Sequence, residues 1–324
     1  MSGGQGKPDI HCAARRPKSK DKKTSARRME TRTRPAKQLE IPGVITFERG
    51  GGGLPRIKVE TAASRAEIYL HGAQVTGFQK NVESPLLFLS RLSQFAADKP
   101  IRGGVPICMP WFGPRAGDVM HGFARITEWE VIETAASPKG GATVRLRLPD
   151  TPAKAAWPAF SAEYFVTVTD RLGMELVVAN RSDRPFEFEN CLHSYFAVGD
   201  IRDVSLTGLK SAHYLDKTEN GARKLESAGA IRITSETNRV YLDTAHTVEI
   251  HDAKFRRKIR VEKSGSASTV VWNPWTTQRM ADFGEEEYQQ MVCVESGNVG
   301  QSQVTLAPGK TARLKVVLSS EAVP

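Results

Sequence analysis

The chain has 324 residues, 46 of them Lys or Arg and 36 Asp or Glu, giving a formal charge of +10 and a pI near 9.5. Apolar residues at 40% and charged ones at 25% describe a globular protein and exclude collagen-like, fibrous or wholly disordered chains. The charge is unevenly placed: residues 1–40 hold twelve bases and four acids, a net of +8, and the other 284 residues are left near neutral at +2.

That first segment lacks hydrophobic periodicity and is rich in Lys, Arg, Ser, Thr and Pro. It cannot bury enough apolar surface to offset the entropy of ordering, so residues 1–40 are expected to be a disordered basic extension. No aromatic side chain precedes Phe47, which leaves nucleic-acid bases nothing to stack on, and no nucleic-acid partner is expected. There is no apolar run of the roughly 18–20 residues that would span a bilayer, and no apolar signal segment. A cytoplasmic location follows as the expectation, with organelle targeting by the basic extension left open. Four scattered cysteines without a C-x-x-C pair suit buried thiols in a reducing compartment better than a disulfide framework or a zinc site.

From residue 41 to 324 the chain reads as one domain of short strands. Polar and apolar residues alternate in Arg56–Glu60, Thr143–Leu148 and Lys258–Glu262. Glu163–Asp170, Met174–Asn180 and Arg313–Leu318 are further strand-like runs between turn signals such as Asp170–Gly173, Asn220-Gly221 and Ala307–Lys310. No long segment keeps a helical period, so the expected class is all-β, a large antiparallel sandwich.

Four stretches break the strand rhythm. In Ile101–Gly113, Arg102 stands beside Gly103-Gly104, a pair that allows close backbone approach to a ligand while a guanidinium is offered. A tight loop with a surface Arg is the plain alternative. His121 and Arg125 lie four residues apart on an expected loop. In Asn190–Phe196, His193 sits in an apolar, aromatic strand, as a tuned titratable group or a satisfied core histidine. In Met291–Glu295 a carboxylate ends an apolar strand, which is costly in a core unless it is paired or functional, and unremarkable if it faces solvent.

Taken in order, Arg102–Pro106, His121–Arg125, His193–Phe196, Val271–Trp275, Met280–Phe283 and Met291–Glu295 closely resemble the motifs of the glucose-6-phosphate 1-epimerases, hexose-6-phosphate mutarotases of the aldose 1-epimerase superfamily. The resemblance covers roughly residues 54–320 and implies a galactose-mutarotase-like β-sandwich. It implies an isomerase with His193 as the general acid toward the ring oxygen and Glu295 as the base toward the C1 hydroxyl. Arg102 and Arg125 match substrate-binding arginines, and an anionic phosphate accounts for two guanidiniums. His121 matches a second histidine that helps to hold the sugar. Two positions depart from the family pattern: Met120 stands where Gln is frequent, and Asn238, in Asn238–Tyr241, where a substrate-contacting Asp is usual.

The expected activity is interconversion of the α and β anomers of D-glucose 6-phosphate. Ring opening needs one group to take the anomeric proton and another to protonate the ring oxygen, so neither metal nor other cofactor is called for. A hexose 6-phosphate is the expected small-molecule partner, for a monomeric chain without membrane association. A non-catalytic sugar-phosphate-binding regulatory protein on the same scaffold is the second reading, weakened by the presence of both His193 and Glu295.

Overall fold

The computed structural model describes residues 36–138 and 140–323. All but the last five residues of the expected disordered extension lie outside them. Those five are ordered: Ala36–Gln38 form a 3-10 turn, Leu39 is buried in the main core and its carbonyl accepts Thr134 Oγ1 at 2.6 Å.

Among the described residues, regular structure is antiparallel strand almost throughout, as the alternation implies, with one four-residue α-helix at Pro152–Ala155. Strands Ile45–Arg49, Pro55–Glu60, Ser64–Tyr69 and Gln74–Lys80 form a meander in chain order. A nine-stranded sheet runs in space through Ile231–Arg232, Val204–Thr207, Val248–Asp252, Arg257–Ser264, Thr311–Ala322, Leu172–Asn180, Phe160–Val168, Ala142–Arg147 and Glu130–Ala136. Of the runs read from the sequence as alternating, Thr143–Leu148 and Lys258–Glu262 fall here and Arg56–Glu60 in the meander; in this sheet one face is buried and the other carries ladders such as Arg145–Glu163 and Arg313–Glu175. One solvated face is what an antiparallel sheet tolerates and what makes its strands alternate.

The second large sheet orders Ala222–Leu225, His213–Asp216, Thr237–Tyr241, Ser268–Asn273, Met291–Asn298, Asn190–Leu192 and Ile107–Cys108, with Tyr195–Ala197 also paired to Met291–Asn298. Its central strands, Ser268–Asn273 and Met291–Asn298, are buried along their whole length. One set of alternate residues, including Val271, Val292, Val294, Leu192 and Phe196, joins the core shared with the nine-stranded sheet and the meander. The other set faces away from that core, and there the functional residues collect. Among the described residues no helix is long and apolar enough to cross a membrane.

Candidate active site

Register builds the site. Antiparallel pairing sets Leu192 opposite Ser296 and Tyr195 opposite Cys293, which places His193 opposite Glu295. Beyond Glu295 the same row continues through Val270 and Val240 to Leu215. The next row on that face is Tyr195, Cys293, Trp272 and Asn238. Side chains directly opposite on one face have Cβ atoms about 4.5–5.5 Å apart, so a strand-period reading of three separated segments becomes one contiguous floor. A cavity of about 810 Å³ stands on it, walled by Arg102, Phe112, Met120, His121 and others.

His193 Nε2 lies 3.4 Å from Glu295 Oε1, and Cys191 Sγ lies 3.5 Å from Glu295 Oε2. The two expected reacting groups are thus in direct contact. Glu295 is 1% exposed and His193 7%. Burial pushes the Glu295 carboxyl well above the usual carboxylate range, with the Cys191 contact opposing the shift. Burial also pushes His193 well below the ordinary histidine value, helped by His121 and by the charges of Arg102 and Arg125. In both groups burial disfavours the charged form. The His193 ring stacks on Tyr195 at 4.7 Å with 9° between planes and meets Trp272 edge-on at 6.2 Å.

Arg102 is set at the cavity wall by the two glycines after it. Gly103 has φ +120° and Gly104 φ +63°, and a Cβ there would come within 2.5 Å of the Phe88 carbonyl oxygen and 2.2 Å of that of Val75. The close approach expected toward a ligand is therefore made to the protein's own backbone. The guanidinium pairs with Asp282 through Nη2 at 3.1 Å and donates from Nη1 to the Tyr195 hydroxyl at 3.2 Å. Against burial, these two neighbours hold it charged.

The other expected residues divide. His121, at φ +63°, accepts the Gly113 N–H on Nδ1 at 3.0 Å, which leaves its proton on Nε2 as a free donor. Burial and the nearby Arg125 and Arg102 lower it to about 3, so it stays neutral. Asn238 lines the cavity, as does half-exposed Met120. Arg125 does not line it: buried, it donates from Nη2 to the Met120 carbonyl at 2.7 Å, its Nε has no partner, and among the described residues it has no ion pair. Arg125 thus raises the positive potential from behind the wall.

Several residues escaped the sequence reading. Tyr195 and Asp282 lie inside quoted motifs, and strand parity alone would have put Tyr195 beside His193. Glu189 gave no signal; its carboxylate accepts the N–H groups of Phe112, at 2.8 Å, and Gly300, tying together two loops of the cavity mouth. Lys217 also reaches the cavity. The cysteine spacing also hid that Cys108, Cys191 and Cys293 are free, buried thiols of this sheet, Cys108 and Cys191 packed in one cluster and Cys293 in another.

A family model described as aldose 1-epimerase matches residues 55–319. A protein of Cenchrus ciliaris named as a candidate glucose-6-phosphate 1-epimerase is 37% identical over 269 residues, 79% of this chain and 81% of its own. One of Escherichia coli, named likewise, is 31% identical over 254 residues, 77% and 85% of the two chains. Among solved structures, a candidate mutarotase from Salmonella typhimurium superimposes with a TM-score of 0.81 at 29% identity, covering 87% of this chain and 95% of that one.

Proposed function

Because the chain belongs to the aldose 1-epimerase family, as an isomerase built on its antiparallel β-sandwich, we propose that it interconverts the α and β anomers of a hexose 6-phosphate, glucose 6-phosphate foremost, with His193 and Glu295 as the reacting pair. The observation that carries this reading is their contact on the floor of a cavity that also holds a guanidinium.

The proton balance of the reaction fits the pair. In the charged form, the Glu295 carboxylate takes the proton of the C1 hydroxyl while the His193 imidazolium gives one to the ring oxygen. The C1–ring oxygen bond breaks and the open-chain aldehyde forms, leaving a carboxylic acid and a neutral imidazole. That is the form burial favours. Rotation about C1–C2 and closure on the other face of the carbonyl reverse both transfers and return the pair to its charged form. No proton enters or leaves. Both reacting oxygens are bonded to C1, so two groups side by side suffice, provided their mutual contact yields to the two new hydrogen bonds.

Around the pair, His121 Nε2–H and the Asn238 amide are suited to sugar hydroxyls, and the Trp272 ring to an apolar sugar face. Arg102 is the candidate phosphate partner. Anomer exchange measured by two-dimensional NMR should be accelerated for glucose 6-phosphate far more than for glucose. Equal acceleration of both sugars would remove the phosphate from the assignment, and none would remove the reaction.

A pH profile tests the pairing. The pair works while it holds one proton. Two are bound below the lowered His193 value, and none above the raised Glu295 value. The plateau of kcat/KM should therefore extend on its acid side below pH 6.5, where an ordinary histidine would end it, and show no step near 4.5 from an ordinary carboxylate. An acid limb centred at 6.5 would contradict the assignment.

A further inference from the structure

His193 and Glu295 share a neighbour that the proposed reaction does not use. Cys293 precedes Glu295 by two residues on the strand Met291–Asn298, so both project to the same face, and it is the register partner of Tyr195. A ring nitrogen of His193, the Cys293 sulfur and a carboxylate oxygen of Glu295 all lie within 4.8 Å of one another. Nitrogen, thiolate and carboxylate are the ligand types of tetrahedral zinc. Bonds of about 2.0–2.2 Å to one such ion set nitrogen and oxygen about 3.4 Å apart. His193 Nε2 and Glu295 Oε1 stand at 3.4 Å already, and the Cys293 sulfur lies within 4.8 Å of a ring nitrogen and a carboxylate oxygen of the same two residues.

Further observations point the same way. Cys293 is a free thiol. A carboxylate and a thiolate offset a double positive charge, and the nearby Arg102 already has Asp282 as its counterion. Both His193 and Glu295 open onto the cavity, which leaves a fourth position for water, the three-ligand pattern of an accessible zinc centre.

We infer that His193, Cys293 and Glu295 form an inhibitory site for a thiophilic divalent cation of the zinc class. The inference rests on the reacting roles of His193 and Glu295, since an ion bound there withdraws both from proton transfer. On binding, metal–nitrogen, metal–sulfur and metal–oxygen bonds form, the thiol proton and the one proton held by the His193–Glu295 pair pass to solvent, and the ion sheds water. No redox change occurs. The ion and its remaining water stand where the anomeric oxygens must lie, so metal and sugar compete.

The test uses the full chain with ZnCl2 in chelator-controlled buffer, and CoCl2 as a spectroscopic probe. Zinc should slow anomer exchange, raise the apparent KM and be reversed by EDTA, and cobalt should give thiolate-to-metal charge-transfer absorption. Cys293→Ala should leave metal-free exchange unchanged, weaken zinc inhibition by at least about tenfold and abolish the sulfur–cobalt band. Cys293→Ser should do the same, and serves if the alanine variant fails to fold, while Cys108→Ala should behave as the parent. Equal zinc sensitivity in the parent and the Cys293 variants, or no sulfur–cobalt band in the parent, overturns the site. A chain that binds cobalt through sulfur but never exchanges anomers would overturn the functional reading instead, since the absorption band needs no turnover.

Discussion

Glu295→Gln should lower kcat by roughly 10²–10⁴-fold, the usual worth of a positioned general acid or base. Gln keeps the volume and a hydrogen-bonding oxygen beside His193 but can neither take nor return a proton. His193→Asn should cost a similar factor. The double variant should be scarcely worse than either single one, because the two groups act as a unit. NMR exchange rates on the three purified proteins decide this; multiplicative losses would mean that His193 and Glu295 work independently.

The same substitution carries a second expected result, of opposite benefit to the fold. The folded-state pKa of Glu295 is raised above the unfolded value of 4.5. As pH rises above 4.5, the unfolded chain gives up this proton before the folded one does, so stability declines until the folded value is passed. Gln has no such loss. The thermal midpoint of Glu295→Gln should therefore exceed that of the parent at pH 8, and the gap should narrow toward pH 4.5. A variant less stable at pH 8 would show that the carboxyl is held by partners that Gln cannot replace.

Arg102→Ala should raise KM for glucose 6-phosphate by about 10- to 100-fold, the worth of a charge-assisted hydrogen bond, and KM for glucose much less. The side chain is already shared with Asp282 and Tyr195, so a phosphate would bind beside an existing ion pair. Removing Arg102 also leaves Asp282 without this cation, which is why the ratio between the two sugars, and not either KM alone, reports the phosphate contact. Arg102→Lys should fall short of the parent, because a single ammonium cannot serve Asp282, Tyr195 and a phosphate in the fixed fork of a guanidinium. Equal changes for both sugars would assign Arg102 to the architecture of the wall.

Much of the molecule was legible in the amino-acid order. The alternation in Arg56–Glu60, Thr143–Leu148 and Lys258–Glu262 reports strands with one wet face, and each lies within or largely overlaps such a strand. His193 and Glu295 stood out because polar groups in apolar strands are costly, and they are found buried and in contact. Arg125 was harder. Its sequence neighbourhood is that of a ligand-facing loop residue, yet its guanidinium turns inward to the Met120 carbonyl. Nothing local distinguishes those outcomes, since both satisfy a loop arginine.

The division follows from the range of the forces involved. Strand character, the solvent-facing side of each outer strand and the polar residues that break the pattern are properties of a few consecutive side chains, and a chain in isolation displays them. Which residues meet across strands depends on pairing register between segments about a hundred positions apart. A slip of one residue would turn Glu295 toward the main core and separate it from His193. The direct contact of the pair, the cysteine beside it and the inward turn of Arg125 exist only once that register is set.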